Sequence, residues 1–200
     1  MIDPNAPGYR PRDHRLLGIG LCLGAVVLFV YASFSHRWLE NVNFGDSRIG
    51  FSLIAFEACA STKCQTTSTF ALIKELKQRT SRREEPPSGV FAPAGVTTMA
   101  LSLLSVLALG FTAFLGWKKK RLGLKVLPHS IALLSIMGAL IAGCLFIAKK
   151  PGGYAAVGVG PSFWAFAIAC VIGIAGAQVL SKYIRPIDPD LGPSASGNAL

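Results

Sequence analysis

Four long stretches of the chain consist almost entirely of apolar residues and contain no Asp, Glu, Lys or Arg. They cover residues 16–35, 95–117, 126–148 and 162–180. A helix of about 20 residues crosses the ~30 Å hydrocarbon layer and satisfies its own backbone hydrogen bonds where no water is available. The pattern therefore predicts an all-α membrane protein built as a four-transmembrane-helix bundle.

The segment between the first two stretches, residues 36–94, is the one loop with room for a small folded unit. Residues 49–56 are rich in aromatic and β-branched side chains and predict a strand. Phe70, Ile73 and Leu76 then recur at helical spacing, which predicts a short amphipathic helix ending near Arg79. We therefore expect a small outer β-subdomain in loop 1.

The orientation follows from the basic residues close to the ends of the spans, because Lys and Arg there resist translocation. Three of them lie in the first 15 residues, and five lie between the second and third spans: Lys118, Lys119, Lys120, Arg121 and Lys125. These segments predict cytoplasmic N and C termini of a multi-pass protein in the cell membrane. Lys149 and Lys150 depart from the pattern, since they fall in a short outer loop.

The resulting organisation alternates between the two sides of the membrane. It comprises a flexible cytoplasmic arm (1–14), a first span (15–35), an outer loop subdomain (36–94), a second span (95–117), a basic cytoplasmic loop (118–125), a third span (126–148), a short outer loop (149–161), a fourth span (162–183) and a disordered cytoplasmic tail (184–200). The first span has an alternative interpretation as a cleaved signal peptide, but 20 apolar residues exceed the usual apolar region of about 7–15.

Composition excludes a soluble enzyme, because 52% of the residues are hydrophobic and only 15% are charged. The net charge of +10 follows the topology and does not indicate a nucleic-acid partner, since no basic helix belongs to a water-soluble domain. The basic patch at 118–125 is expected to face anionic lipid of the bilayer. A phosphoinositide site or a protein site is the alternative there.

The five cysteines separate by their depth in the predicted topology. Cys22, Cys144 and Cys170 lie in spans and are expected to behave as small apolar side chains, whereas Cys59 and Cys64 share the outer loop. A disulfide between these two would stabilise a small subdomain by about 2 kcal/mol. A zinc site has little support, because tetrahedral zinc needs four ligands and no further cysteine lies in this loop.

The four apolar stretches carry none of the Asp, Glu, Lys or Arg residues that proton relays and ion paths use, so we expect no catalytic residue, metal or cofactor. His129 and Gln178 are their most polar long side chains, both near a cytoplasmic end. Small residues recur at four-residue intervals instead: Gly20, Gly24, Ala139, Gly143, Ala165, Ala169, Gly173 and Ala177. Such stripes allow helix backbones to approach closely, within the bundle or at a dimer interface.

The outer loop contains a Trp after the first span, then a Gly-aromatic strand, two cysteines and an Arg before the second span: Trp38, Gly50, Phe51, Cys59, Cys64 and Arg79. In this order of residues the loop resembles that of the claudin and peripheral-myelin-protein superfamily. The third-position Trp of the family motif is absent, and the cysteines lie closer together than in claudins. The resemblance implies an outer β-sheet closed by the cysteine pair and mounted on a left-handed four-helix bundle.

These features favour a non-catalytic membrane protein that acts as a claudin-like adhesion, scaffold or accessory subunit of a membrane complex. Its partners would be the lipid bilayer and other membrane proteins or a second copy, contacted through the outer loop and the small-residue helix faces. Two alternatives stay open. One is a channel or exporter subunit with a pore built from loop residues. The other is a four-span thiol–disulfide oxidoreductase, although such enzymes use two cysteine pairs.

Overall fold

A computed structural model describes residues 14–41, 47–60, 63–79, 88–118, 128–151 and 157–184. The described elements are α1 (Arg15–Phe34), β1 (Leu39–Asn41), β2 (Ser47–Phe51), β3 (Ala55–Ala60), β4 (Lys63–Ser68), α2 (Thr69–Arg79), α3 (Phe91–Lys118), α4 (Pro128–Ala148), β5 (Gly158–Val159) and α5 (Pro161–Ser181). The predicted cytoplasmic arm and tail lie outside the described residues, except for His14 and Ile184 at their inner ends.

Four of the helices, α1, α3, α4 and α5, are long and apolar enough to cross a membrane, which suggests a multi-pass membrane protein. They form a ring in which α1 packs on α3 and α5, and α4 packs on the same two helices. Helix α3 begins at Phe91, four residues before the expected span. Helix α4 begins at Pro128, where the missing N–H of a first-turn proline costs no intrahelical hydrogen bond.

The strands form one antiparallel sheet in the order β4-β3-β2-β1-β5. Strands β1 to β4 come from the segment between α1 and α3, whereas β5 comes from the segment between α4 and α5. Because Glu40 of β1 pairs with Gly158 of β5, these two connections lie at the same end of the bundle. We refer to this end, which contains Phe34, Phe91, Ala148 and Pro161, as the sheet end.

The single strand expected at 49–56 is two strands separated by a tight turn. The turn forms at Ser52, whose backbone N–H donates to the carbonyl of Ala55 at 2.8 Å. The N–H of Ala55 donates in return to the Ser52 hydroxyl at 2.8 Å. Local hydrogen bonds from a serine side chain compete with the hydrogen bonds of a continuous strand. The pattern of hydrophobic positions does not indicate this competition.

One hydrophobic core runs from the bundle to the underside of the sheet. Its largest fully buried side chains are Trp38, Phe29, Phe51, Phe91, Phe146 and Phe166. Helix α2 ends at Arg79, as predicted, and of the predicted apolar face it buries Ile73. Phe70, which the helical spacing placed on the same face, is exposed, and Leu72 is buried instead, because the helix is rotated toward the core on that side. The sheet is therefore part of the same folded unit as the helices.

Candidate interaction surface at the sheet end

Trp38 fastens the sheet to the bundle. Its indole N–H donates to the carbonyl of Ala32 in the last turns of α1, and its ring is fully buried. The ring contacts three phenyl rings, which belong to Phe146, Phe163 and Phe166 at centroid distances of 6.1, 6.1 and 5.1 Å. A buried indole stabilises the fold through the apolar area that it buries, and the hydrogen bond of its N–H fixes the orientation of the ring. This residue therefore sets the position of the sheet on the helices.

The backbone of Trp38 is also held on both sides. Its N–H donates to the carbonyl of Phe51 at 2.9 Å, and its carbonyl accepts the N–H of Gly160 at 2.8 Å. A Cβ on Gly160 would overlap the carbonyl of Arg37, and one on Gly50 would lie 2.9 Å from the carbonyl of His36. Glycine at both positions allows the chain segments to pass at backbone contact.

Phe51 connects the strand to the start of α3. Its ring is fully buried and lies 4.8 Å from that of Phe56 and 5.8 Å from that of Phe91, measured between centroids. Phe91 stacks in turn on Phe146 of α4 at 4.4 Å. The aromatic position next to Gly50 is thus one of the contacts between sheet and bundle.

Cys59 and Cys64 form a disulfide between directly opposed positions of β3 and β4. Cys59 is half-buried and Cys64 is exposed. Their sulfur atoms and the Glu57 carboxylate lie within 4.8 Å of one another, a grouping that could hold a metal ion. Zinc binds cysteine as thiolate, so the disulfide removes two of the three ligands and leaves only the carboxylate.

The outward surface of the sheet end combines this hairpin with one side of α2. Strand β4 is mostly exposed and carries Lys63 and Gln65. On α2, Phe70 is 52% exposed although Leu72 and Ile73 are buried, and Lys74 and Lys77 lie on the same side as Phe70. The side chain of Arg79 lies outside the described residues.

An ion pair follows the end of α1. Arg37 Nε donates to Glu40 Oε2 at 2.8 Å, and Arg48 on β2 lies 3.9 Å from the same oxygen. The hydrogen bond to the Glu40 carboxylate raises the pKa of the Arg37 guanidinium above its ordinary value. Arg37 and Arg48 are half-exposed at the side chain, so the pair organises the surface more than it stabilises the fold.

The small residues expected to mediate helix packing fall into two groups. Ala139 and Ala169 are fully buried; a Cβ on Gly143 would lie 3.2 Å from the Phe166 ring, and one on Gly173 would lie 3.2 Å from Leu109. Gly24 is half-buried, and its Cβ would meet Ile172 at 3.6 Å. Gly20 is exposed, and a Cβ there would meet nothing within 4 Å.

The close approaches of α1 involve other glycines, which the four-residue pattern missed. A Cβ on Gly18 would lie 2.9 Å from Leu180, and one on Gly176 of α5 would lie 2.8 Å from the Cys22 sulfur. The buried side of α1 therefore includes Gly18 and Cys22, about half a turn from Gly20. A helix that is apolar on all sides has no sequence pattern that indicates which side faces the other helices.

The interior of the bundle contains hydroxyl groups that the sequence analysis did not predict, because it considered charged side chains. Buried hydroxyls on α3 lie at Thr98, Ser102, Ser105 and Thr112. Ser105 Oγ donates to Ser135 Oγ of α4 at 2.8 Å, whereas the Ser102 hydroxyl has no hydrogen-bond partner among the residues that the structure describes. Their spacing of four, three and seven residues places them on one side of a helix and could have been found in the sequence.

Those of the remaining predicted positions that the structure describes lie at the opposite end of the bundle. Lys118 is exposed at the end of α3, but Lys119, Lys120, Arg121 and Lys125 lie outside the described residues. His129 is half-buried in the first turn of α4, and Gln178 is exposed near the end of α5. The basic patch facing lipid thus stays a prediction.

Comparison with known proteins finds no family model that matches the chain and no curated protein similar to it. Four apolar helices and a small antiparallel sheet with a disulfide are compatible with a claudin-like architecture. The similarity accordingly rests on this arrangement and on the few motif residues described above.

Proposed function

We propose that this chain is a non-catalytic, claudin-like membrane protein that acts as an adhesion, scaffold or accessory subunit of a membrane complex. The observation that carries the proposal is the attachment of the sheet to the bundle at Trp38, whose side chain and backbone contact α1, α4, α5, β2 and the residue before α5. A sheet fixed in this way presents the β3–β4 hairpin and α2 in a constant orientation to a neighbour, which lowers the entropic cost of binding.

The surface of α2 supports a protein partner. Phe70 and Ile54 are large apolar side chains exposed at the sheet end, at 52% and 43%. Aromatic residues are enriched at the centre of protein–protein contacts, and polar or charged residues surround them at the rim. In the proposed topology this surface faces outward from the cell membrane, with both termini in the cytoplasm.

The experiment is site-specific photo-crosslinking in native membranes. A photoreactive residue at Phe70 should give crosslinks to protein, either to another membrane protein or to a second copy. The matched control is Leu134, which is 75% exposed on the middle of α4 and should crosslink lipid. Crosslinks at Phe70 to lipid alone would contradict an interaction surface there.

The thiol–disulfide oxidoreductase is the second candidate, favoured by the exposed position of Cys64 in a disulfide-bonded pair. Purified protein should be assayed for oxidation of a reduced peptide in the presence of a quinone, with Cys59→Ser as the inactive comparison. If the native protein shows turnover and the folded variant does not, the chain is an oxidoreductase and the proposed function is wrong. Conductance of the protein in planar bilayers would likewise contradict the proposed function and indicate a channel.

A further inference from the structure

A groove opens beside the last turns of α1 at the sheet end. Its volume is about 490 Å³, within the range of small-molecule sites. One wall is formed by Val30, Tyr31 and Phe34, and the rim by His36, Arg37 and Arg48. The lining of the groove is thus mostly apolar, with basic side chains among its residues.

The apolar wall is continuous with the side of α1 that faces away from the bundle. Val30, Tyr31 and Phe34 are 38%, 48% and 61% exposed, and Val27, one turn earlier, is 66% exposed. These positions repeat at three and four residues and so form one stripe along the helix. In a multi-pass membrane protein this stripe contacts acyl chains, so the wall leads from the hydrocarbon layer toward its edge.

The cationic rim lies where the helix ends. The side chains of Arg37 and Arg48 are 49% and 59% exposed, whereas that of Glu40, which pairs with both, is 15% exposed and does not line the groove. Two guanidinium groups share one carboxylate, which leaves an excess positive charge beside the groove. Glu40 also limits the motion of both arginines, so the rim is partly organised before a ligand arrives.

We propose that this groove binds one anionic membrane lipid, with the headgroup phosphate on Arg37 and Arg48 and an acyl chain along the α1 stripe. Guanidinium groups recognise phosphate through paired, charge-assisted hydrogen bonds, and the rim supplies two of them. An apolar wall that continues down the helix fits a lipid and has no use for free phosphate. The site is independent of the proposed function.

The test uses the full-length protein in nonionic detergent and counts bound lipids by native mass spectrometry. Phosphatidylglycerol is compared with phosphatidylcholine of the same chains, and glycerol phosphate serves as the source of a headgroup without chains. We expect phosphatidylglycerol to bind at least about 10-fold more tightly than either. Each of the two guanidinium groups attracts the anionic headgroup, and their combined attraction corresponds to a difference of this size.

Variants locate the lipid. Arg37→Gln combined with Arg48→Gln should weaken the first phosphatidylglycerol site at least about 10-fold, whereas Lys63→Gln with Lys74→Gln removes the same charge from the sheet end and should change it less than about twofold. Val30→Trp fills the apolar wall without altering charge and should also weaken binding.

Equal affinity for the two lipids would overturn the proposal, and so would an arginine double variant that binds like the native chain. Loss of the site on Lys118→Gln alone would also overturn it, because the lipid would then lie at the opposite end of the bundle. Glycerol phosphate that competes as well as the lipid would contradict a lipid site, because it would assign the rim to a soluble anion. Circular dichroism of each variant establishes that the fold persists, and Val30→Trp keeps the test valid if the arginine variant unfolds.

Discussion

The indole ring of Trp38 lies 5.1 Å from the phenyl ring of Phe166, centroid to centroid, at the level where sheet and helices meet. Trp38 belongs to the connection after α1, and Phe166 lies in the second turn of α5. The contact thus joins the first and last long helices through one side chain. Its removal should affect the attachment of the sheet and the closure of the bundle together.

Trp38→Ala should lower the free energy of unfolding by about 3–5 kcal/mol, because it opens a cavity among three phenyl rings and leaves the Ala32 carbonyl without its donor. Thermal unfolding in detergent measures the loss. Trp164→Ala is the matched control, since that ring is 61% exposed, and we expect a change below about 0.5 kcal/mol. Equal effects of the two variants would contradict the central position of Trp38.

Glycine positions provide a second comparison. Gly95→Ala should destabilise the protein by about 1–3 kcal/mol, because the new Cβ would overlap the carbonyl of Leu53. Gly20→Ala meets nothing within 4 Å and should be neutral or stabilising by up to about 1 kcal/mol, as alanine favours helix. Unfolding curves in one detergent distinguish the two, and a destabilising Gly20→Ala would indicate an interface with another molecule.

The disulfide gives a prediction on the sheet. Cys59→Ser with Cys64→Ser removes a staple that closes a short loop and should cost about 2 kcal/mol of unfolding free energy. Cys144→Ser, at an exposed position on α4, controls for loss of a sulfur atom. The measurement is thermal unfolding with and without reductant, and reductant should have no effect on the double variant.

Hydroxyl groups inside the bundle give opposite expectations for two neighbouring serines. Ser105→Ala removes the hydrogen bond to Ser135 and should cost about 0.5–1 kcal/mol. Ser102→Ala removes a buried hydroxyl that makes no hydrogen bond within the described part of the chain, so it should be neutral or stabilising. Both variants delete one oxygen from α3, and their unfolding temperatures should therefore move in different directions or by clearly different amounts.

The sheet topology predicts a new disulfide. In a chain whose free cysteines are replaced, Glu40→Cys and Gly158→Cys lie at directly paired positions of β1 and β5 and should form a bond on mild oxidation. Lys63→Cys with Gly158→Cys lies across the width of the sheet, with three strands between β4 and β5, and should not. Mass mapping of peptides detects whether each of the two cysteine pairs has formed a disulfide. Crosslinking of the distant pair alone would refute the strand order.

The sequence by itself determined the four long helices and where the small subdomain lies. An apolar run of about 20 residues has only a helix with which to satisfy its backbone in lipid, so length and hydrophobicity suffice. The cysteine pair could also be singled out by its place in the outer loop, and Trp38 and Phe51 by the resemblance of that loop to the claudin and peripheral-myelin-protein superfamily.

Only the tertiary structure decided the contacts that long-range pairing creates. The pairing of Glu40 with Gly158 joins residues more than a hundred positions apart, and no local pattern encodes it. The rotation of α1 that buries Gly18 and exposes Gly20 depends on the neighbouring helices, since a helix apolar on all sides has no preferred face of its own. The groove beside Arg37 and Arg48 arises for the same reason: β2 brings the second guanidinium to the end of α1.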